Sequence, residues 1–127
     1  MWRFFNMARE VAISRKDKRS FLIGCVAVRN DGALVRSRNS PVVMGNVEHT
    51  SYPRAHAEFK ISKKLDVGAI VFVCRIRELD GKYKLARPCP SCQMILRNCG
   101  VKTVYYTIND VEYGVLDLDK MIDKVRS

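Results

Sequence analysis

No stretch of the 127-residue sequence reaches the roughly 18 uninterrupted apolar residues that a membrane span requires. The region from Met1 to Ala12 carries Arg3, Arg9 and Glu10 where a secretory signal would place an apolar core. A soluble protein kept in a reducing cytoplasm, with no membrane partner, is therefore expected. There is no internal repeat, low-complexity run or Pro- and Ser-rich linker, which excludes repeat arrays and favours one continuous domain over residues 1–127. Cysteines do not pair off either: five thiols make an odd set, so metal binding explains them better than a disulfide framework. Acidic residues are scarce, 13 against 23 Lys and Arg, which leaves a formal charge of +10. On so small a body that excess favours a polyanionic partner, nucleic acid or nucleotide.

What is present suffices for one core, since 47% of the residues are hydrophobic. Phe5, Ala8, Val11 and Ala12 recur at helical spacing, giving an amphipathic helix that ends near Ser14. Phe21 to Val28 is apolar and β-branched, Asn30-Asp31-Gly32 is a turn, and Leu34 to Arg38 resumes as a strand, together a hairpin. A polar loop from Asn39 to Arg54 is a candidate pocket wall and leads into a second helix over Ala55 to Leu65. Ala69 to Arg77 reads as a buried strand that Asp80-Gly81 reverses before Tyr83 to Leu85. Pro90 fits the first position of a third helix ended by Gly100.

Val101 to Thr107 follows as a fourth strand and Val111 to Leu116 as a fifth, with a short helix expected from Leu118 to Val125. Too few residues separate strands four and five for a parallel crossover, so the two are expected to be antiparallel. The order implies an α/β domain whose mixed five-stranded sheet is covered by helices.

The chemistry concentrates at His56-Ala57-Glu58 and at Pro88-Cys89-Pro90-Ser91-Cys92, each at a helix start. Thiols three residues apart share a helical face and can grip one ion, and His56 supplies an imidazole from the other helix. Three protein ligands leave the fourth tetrahedral position of Zn2+ for water, the arrangement of catalytic zinc. Residues two apart do not face together on a helix, so His56 and Glu58 are expected to straddle the helix start. Glu58 can then stand beside that water and act as general base and acid without binding the metal. Cys25, Cys74 and Cys99 sit in apolar contexts and read as small core residues, and His49 as a surface residue.

With H-A-E followed by P-C-P-S-C, in the order hairpin, H-x-E helix, strand, PCxxC helix, strand, the sequence resembles the zinc-dependent cytidine deaminase-like superfamily. The resemblance implies the family's three-layer fold. It also implies Zn2+ on His56, Cys89 and Cys92, hydrolysis at C4 of cytosine or C6 of adenine, and Glu58 shuttling protons while ammonia leaves. Asn39, in Ser37-Arg38-Asn39, matches the family's pocket asparagine. Ala57, Tyr52, Arg54 and Tyr106 complete the candidate substrate contacts. Tyr52 and Arg54 are chosen because they lead directly into His56. Tyr106 is chosen because one of Tyr105 and Tyr106 can stack on a base while the other packs inward.

Cytosine is favoured over adenine by family analogy. The carrier is expected to be single-stranded DNA or RNA, because Arg15, Lys16, Lys18 and Arg19 form one basic cluster and Lys60, Lys63 and Lys64 another. Free cytidine, deoxycytidine or deoxycytidylate is the alternative substrate. An inert zinc-stabilised nucleic-acid-binding module is a third reading, which Glu58 argues against, since a folded zinc site does not need that carboxylate. Oligomeric state is not legible in the sequence.

Overall fold

The computed structural model describes residues 1–14, 22–39 and 56–127. Helix α1 (Trp2–Ala12) turns Phe5, Ala8 and Ala12 inward at i, i+3 and i+7, the spacing of one helical face. Strands β1 (Leu22–Val28) and β2 (Leu34–Arg38) form the expected antiparallel hairpin. Two backbone amides at its turn, those of Asn30 and Asp31, donate to the Asp66 carboxylate at 2.8 and 3.3 Å. Strand β3 (Ile70–Ile76) lies antiparallel to β1, and its short return β4 (Tyr83–Lys84) pairs back onto it.

Helix α2 (Ala57–Ser62) precedes β3, and α3 (Pro90–Asn98) carries the chain across to β5 (Thr103–Thr107), which runs parallel to β3 as a crossover helix permits. Strands β6 (Tyr113–Asp117) and β7 (Ile122–Arg126) then extend the sheet as an antiparallel meander. Among the described residues the order is β2-β1-β3-β5-β6-β7, with β4 beside β3. The antiparallel pairing of the strands expected as fourth and fifth, here β5 and β6, is as the short connection required.

Two corrections concern the same face of the expectation. Among the described residues seven strands are present in place of five, and the helix expected from Leu118 to Val125 is instead a turn followed by β7. Leu118, Met121 and Val125 mimic helical spacing, yet only Leu118 is buried, with Met121 54% and Val125 58% exposed. The Asp117 carboxylate accepts the amides of Asp119 and Lys120, which tightens a reversal. Beyond that reversal the chain pairs along β6, from Asp117↔Ile122 to Tyr113↔Arg126, which satisfies backbone groups that one short isolated helix would leave on β6. Element ends also shift: α1 stops at Ala12, and the described part of the second helix is six residues.

The core has two halves, one on each face of the sheet. Phe5, Ala8, Ala12, Val26, Phe72, Cys74 and Ile76 pack under α1. Ile61 and Leu96, from α2 and α3, pack on Val71, Val73, Val104 and Leu116 across the other face. Burying an aliphatic side chain of this size contributes about 1.5–3 kcal/mol, so these contacts fix α2 and α3 side by side. Gly24 lets α1 come close: a Cβ there would collide with the Ala8 carbonyl oxygen. No helix among the described residues is long and apolar enough to cross a membrane.

Candidate metal centre

His56 is the N-cap of α2, with extended backbone at φ −76° and ψ 141°, and Glu58 lies inside the first turn. Cys89 is likewise the extended N-cap of α3, Pro90 follows at the first helical position, and Cys92 lies within the first turn. Both helices begin at the C-terminal end of the parallel strand pair, and their packing brings the two starts together. His56 Nδ1 is 3.3 Å from Cys92 Sγ and 3.6 Å from Cys89 Sγ. All three donor atoms lie within 4.8 Å of one another, the one such metal-capable group found among the described residues.

Those distances suit one tetrahedral zinc ion, for which typical Zn–S and Zn–N lengths put nitrogen and sulfur about 3.5 Å apart. Burial lowers the pKa of His56, which keeps its imidazole in the neutral form that binds metal. Burial, then Glu58 and Cys89, push the Cys92 thiol well up. Without a cation this is a crowd of acids in a dry place. A dication held by His56, Cys89 and Cys92 would relieve that crowding, since thiol ligands bind metal in their deprotonated form.

Glu58 supplies the second sign of fit. It is only 5% exposed, and its Oε1 is buried with no hydrogen-bond partner. Burial outweighs the bond from its own backbone N–H and pushes its carboxyl up to about 7. A carboxyl so poised can accept and return a proton near neutral pH. It is not one of the three grouped ligands, and its influence on the Cys92 thiol places it beside them with one oxygen unpartnered.

Several supports were not legible as site residues. Ser37 Oγ donates to the Ala57 carbonyl oxygen at 2.5 Å and ties β2 to the start of α2. Gln93 is buried and donates from Nε2 to the Pro88 carbonyl at 2.7 Å, which holds the turn before Cys89. Neither residue type carries a sequence signal for that duty, because each acts through a backbone partner chosen by the fold.

The candidate substrate contacts are distributed differently. Ala57 is buried at the start of α2. Asn39 Oδ1 accepts the Ile23 amide at 2.9 Å, which extends the β1–β2 ladder by one step. Tyr106 packs in the core beneath α2 and α3, with its hydroxyl 2.5 Å from Asp123 Oδ1. Tyr105 faces the other way and stacks on Phe72, ring centroids 5.0 Å apart. Tyr52, Arg54, His49, the loop of residues 40–55 and the cluster Arg15, Lys16, Lys18 and Arg19 lie outside the described residues. Of the basic residues on α2 and just after it, Lys63 lies over the Phe59 ring and Lys64 Nζ donates to the Arg36 carbonyl. Cys25 and Cys74 are buried, and Cys99 is half-buried with its thiol toward the Ser62 carbonyl; none joins the metal-capable group.

Residues 2–108 match the family model of the cytidine and deoxycytidylate deaminase zinc-binding region. Among solved structures, the chain resembles the crystal structure of a cytidine deaminase from Burkholderia pseudomallei, with a TM-score of 0.63 at 15% identity. That similarity covers 95% of this chain and 94% of the other, and it supports the fold. No curated relative matches the sequence significantly.

Proposed function

Since the chain belongs to the cytidine and deoxycytidylate deaminase zinc-binding family, we propose that it converts cytosine to uracil by hydrolysis, acting on cytosine within single-stranded DNA or RNA. The observation that carries the chemistry is the convergence of His56 Nδ1, Cys89 Sγ and Cys92 Sγ beside the buried, unpartnered Glu58 Oε1. The zinc held by these ligands supplies the Lewis acidity that makes water nucleophilic near neutral pH. Glu58 takes the proton released as water attacks C4 and passes protons to the ring and to the departing amine. Cytosine and water give uracil and ammonia, so the carboxyl returns to its starting state.

The dry surroundings of Glu58 serve that cycle, because a solvated carboxylate would stay ionised and deliver protons poorly. Ala57 stands at the first helical position of α2, where the amide has no partner within the helix and can donate to a base carbonyl. Asn39 is a further contact of this reading, with Tyr52 and Arg54 from the preceding loop, whereas Tyr106, expected to stack on a base, is held in the core with its hydroxyl on Asp123.

A strand as substrate is supported by the charge of +10, which attracts phosphates along an extended chain. The free-nucleoside reading draws on a different observation, the likeness over 95% of the chain to the structure of a cytidine deaminase. Incubating the zinc-loaded protein with cytidine, dCMP and a cytosine-containing oligonucleotide, and weighing the base products, separates the two. Rapid turnover of the monomers with an untouched oligonucleotide overturns the polynucleotide reading.

A further inference from the structure

We propose that Asp123 is a positioning residue for the zinc centre: its carboxylate clamps Arg87 and Tyr106 and thereby fixes the segment that delivers Cys89. The family match ends at residue 108, so this clamp comes from β7, outside the region that defines the family. Asp123 Oδ2 accepts from Arg87 Nε at 2.7 Å, while Oδ1 accepts from the Tyr106 hydroxyl at 2.5 Å. Arg87 and the Tyr106 hydroxyl thus meet on one carboxylate, which joins side chains from the α3 approach, β5 and β7.

The clamp is aimed by its surroundings. Tyr106 lies against Gly114 of β6, where a Cβ would collide with the phenol ring, so the ring spans β6 and its hydroxyl reaches β7. Arg87 stands two positions before Cys89. On one side of it the Ala86 amide is held by the Thr107 carbonyl at 2.8 Å, and on the other Gln93 holds the Pro88 carbonyl at 2.7 Å. The side chain of Arg87 is the third handle on this turn, and its anchor is Asp123.

The Arg87 and Asp123 side chains are 42% and 29% exposed, and an isolated pair at such exposure adds little stability. Two short bonds converging on one carboxylate instead restrict geometry, and groups that orient metal ligands typically change metal affinity 10- to 100-fold. The inference rests on the family's zinc assignment and is independent of the molecule that carries the cytosine.

The test is chelator competition for zinc, the absorption spectrum of the cobalt-substituted protein, and melting of zinc-free and zinc-loaded samples. The parent is compared with Asp123→Ala, Asp123→Asn, Arg87→Ala and the Asp123→Ala/Arg87→Ala pair. Asp123→Ala is expected to lose about tenfold in zinc affinity and to shift the cobalt bands. Asp123→Asn loses less because it keeps an oxygen for the Tyr106 hydroxyl, and the double variant is no weaker than either single one. Lys124→Ala, on the opposite face of β7, leaves both readouts unchanged. Unaltered affinity and cobalt bands in Asp123→Asn and Arg87→Ala overturn the proposal, and these two decide it if Asp123→Ala does not fold. Equal loss of melting temperature with and without zinc likewise reduces Asp123 to a brace of the sheet. A parent protein that binds no zinc fails the family-based reading and this one together.

Discussion

His56 Nδ1 and Cys92 Sγ are 3.3 Å apart although 36 positions separate the two residues in the chain. That closeness is produced by two helix starts docked on one sheet, so the metal centre and the tertiary packing of α2 on α3 are one construction. Cys92 itself is fully buried in that packing.

Replacing a ligand should therefore cost stability as well as metal. Cys89→Ala and Cys92→Ala are expected to purify without stoichiometric zinc and to melt below the parent, and a chelator should bring the parent's melting curve toward theirs. Metal analysis and calorimetry on the same samples check this; a chelated parent that melts unchanged speaks against zinc as part of the fold.

Glu58→Gln should separate chemistry from binding. The amide keeps the volume of the buried side chain but cannot take a proton, so zinc content stays at the parent level while ammonia release falls by about 10²–10⁴-fold. Parallel metal and ammonia assays suffice, and retained turnover would remove Glu58 from the proton path.

Gly24→Ala should destabilise the hairpin's contact with α1. The added methyl meets the Ala8 carbonyl oxygen and the Ala12 amide region, both backbone, so α1 must move. Such overpacking typically costs about 1–3 kcal/mol, readable as a lower denaturation midpoint with the slope unchanged.

Acid should loosen the β1–β2 turn. The amide of Asn30, then that of Asp31 and the charge of Arg29, hold Asp66 below its ordinary value of 3.8. A depressed carboxyl stabilises the fold above its unfolded pKa and loses that contribution as pH falls through the lowered folded value. Asp66→Asn is thus expected to lower the melting temperature near pH 7 and to flatten the decline below pH 4. Melting curves across pH 7 to 3 measure it, and parallel curves for both proteins would contradict it.

If the substrate is a strand held through its phosphates, turnover of a sub-saturating oligonucleotide should drop steeply as salt rises, while turnover of cytidine should barely respond. Initial rates at two or three salt concentrations are enough, and a flat oligonucleotide response counts against an extended phosphate track.

The metal ligands were legible because their spacing is local: C-x-x-C falls at a Pro-marked helix start, and H-x-E straddles another, with His56 before the helix and Glu58 within it. The antiparallel meeting of β5 and β6 was legible for a similar reason, since the connection is too short for anything else. β7 was hidden because Leu118, Met121 and Val125 satisfy helical spacing, and the unpaired edge of β6 that recruits residues 122–126 is invisible before folding. Ser37, Gln93 and Asp123 escaped notice on the same ground. Ser37 and Asp123 take their roles from partners 20 and 36 positions away, met only once the sheet has formed, and Gln93 from a backbone carbonyl that no residue pattern announces.

Among the described residues, the sheet ends at β2 on one side and β7 on the other, with no further strand beyond either. Arg36 and Arg38 line the first margin, Lys124 and Arg126 the second. Two molecules approaching margin to margin meet like charges before their backbones can hydrogen-bond. Cations on both margins thus oppose the edge-to-edge pairing that would carry the sheet from one molecule into the next, whatever the molecule binds.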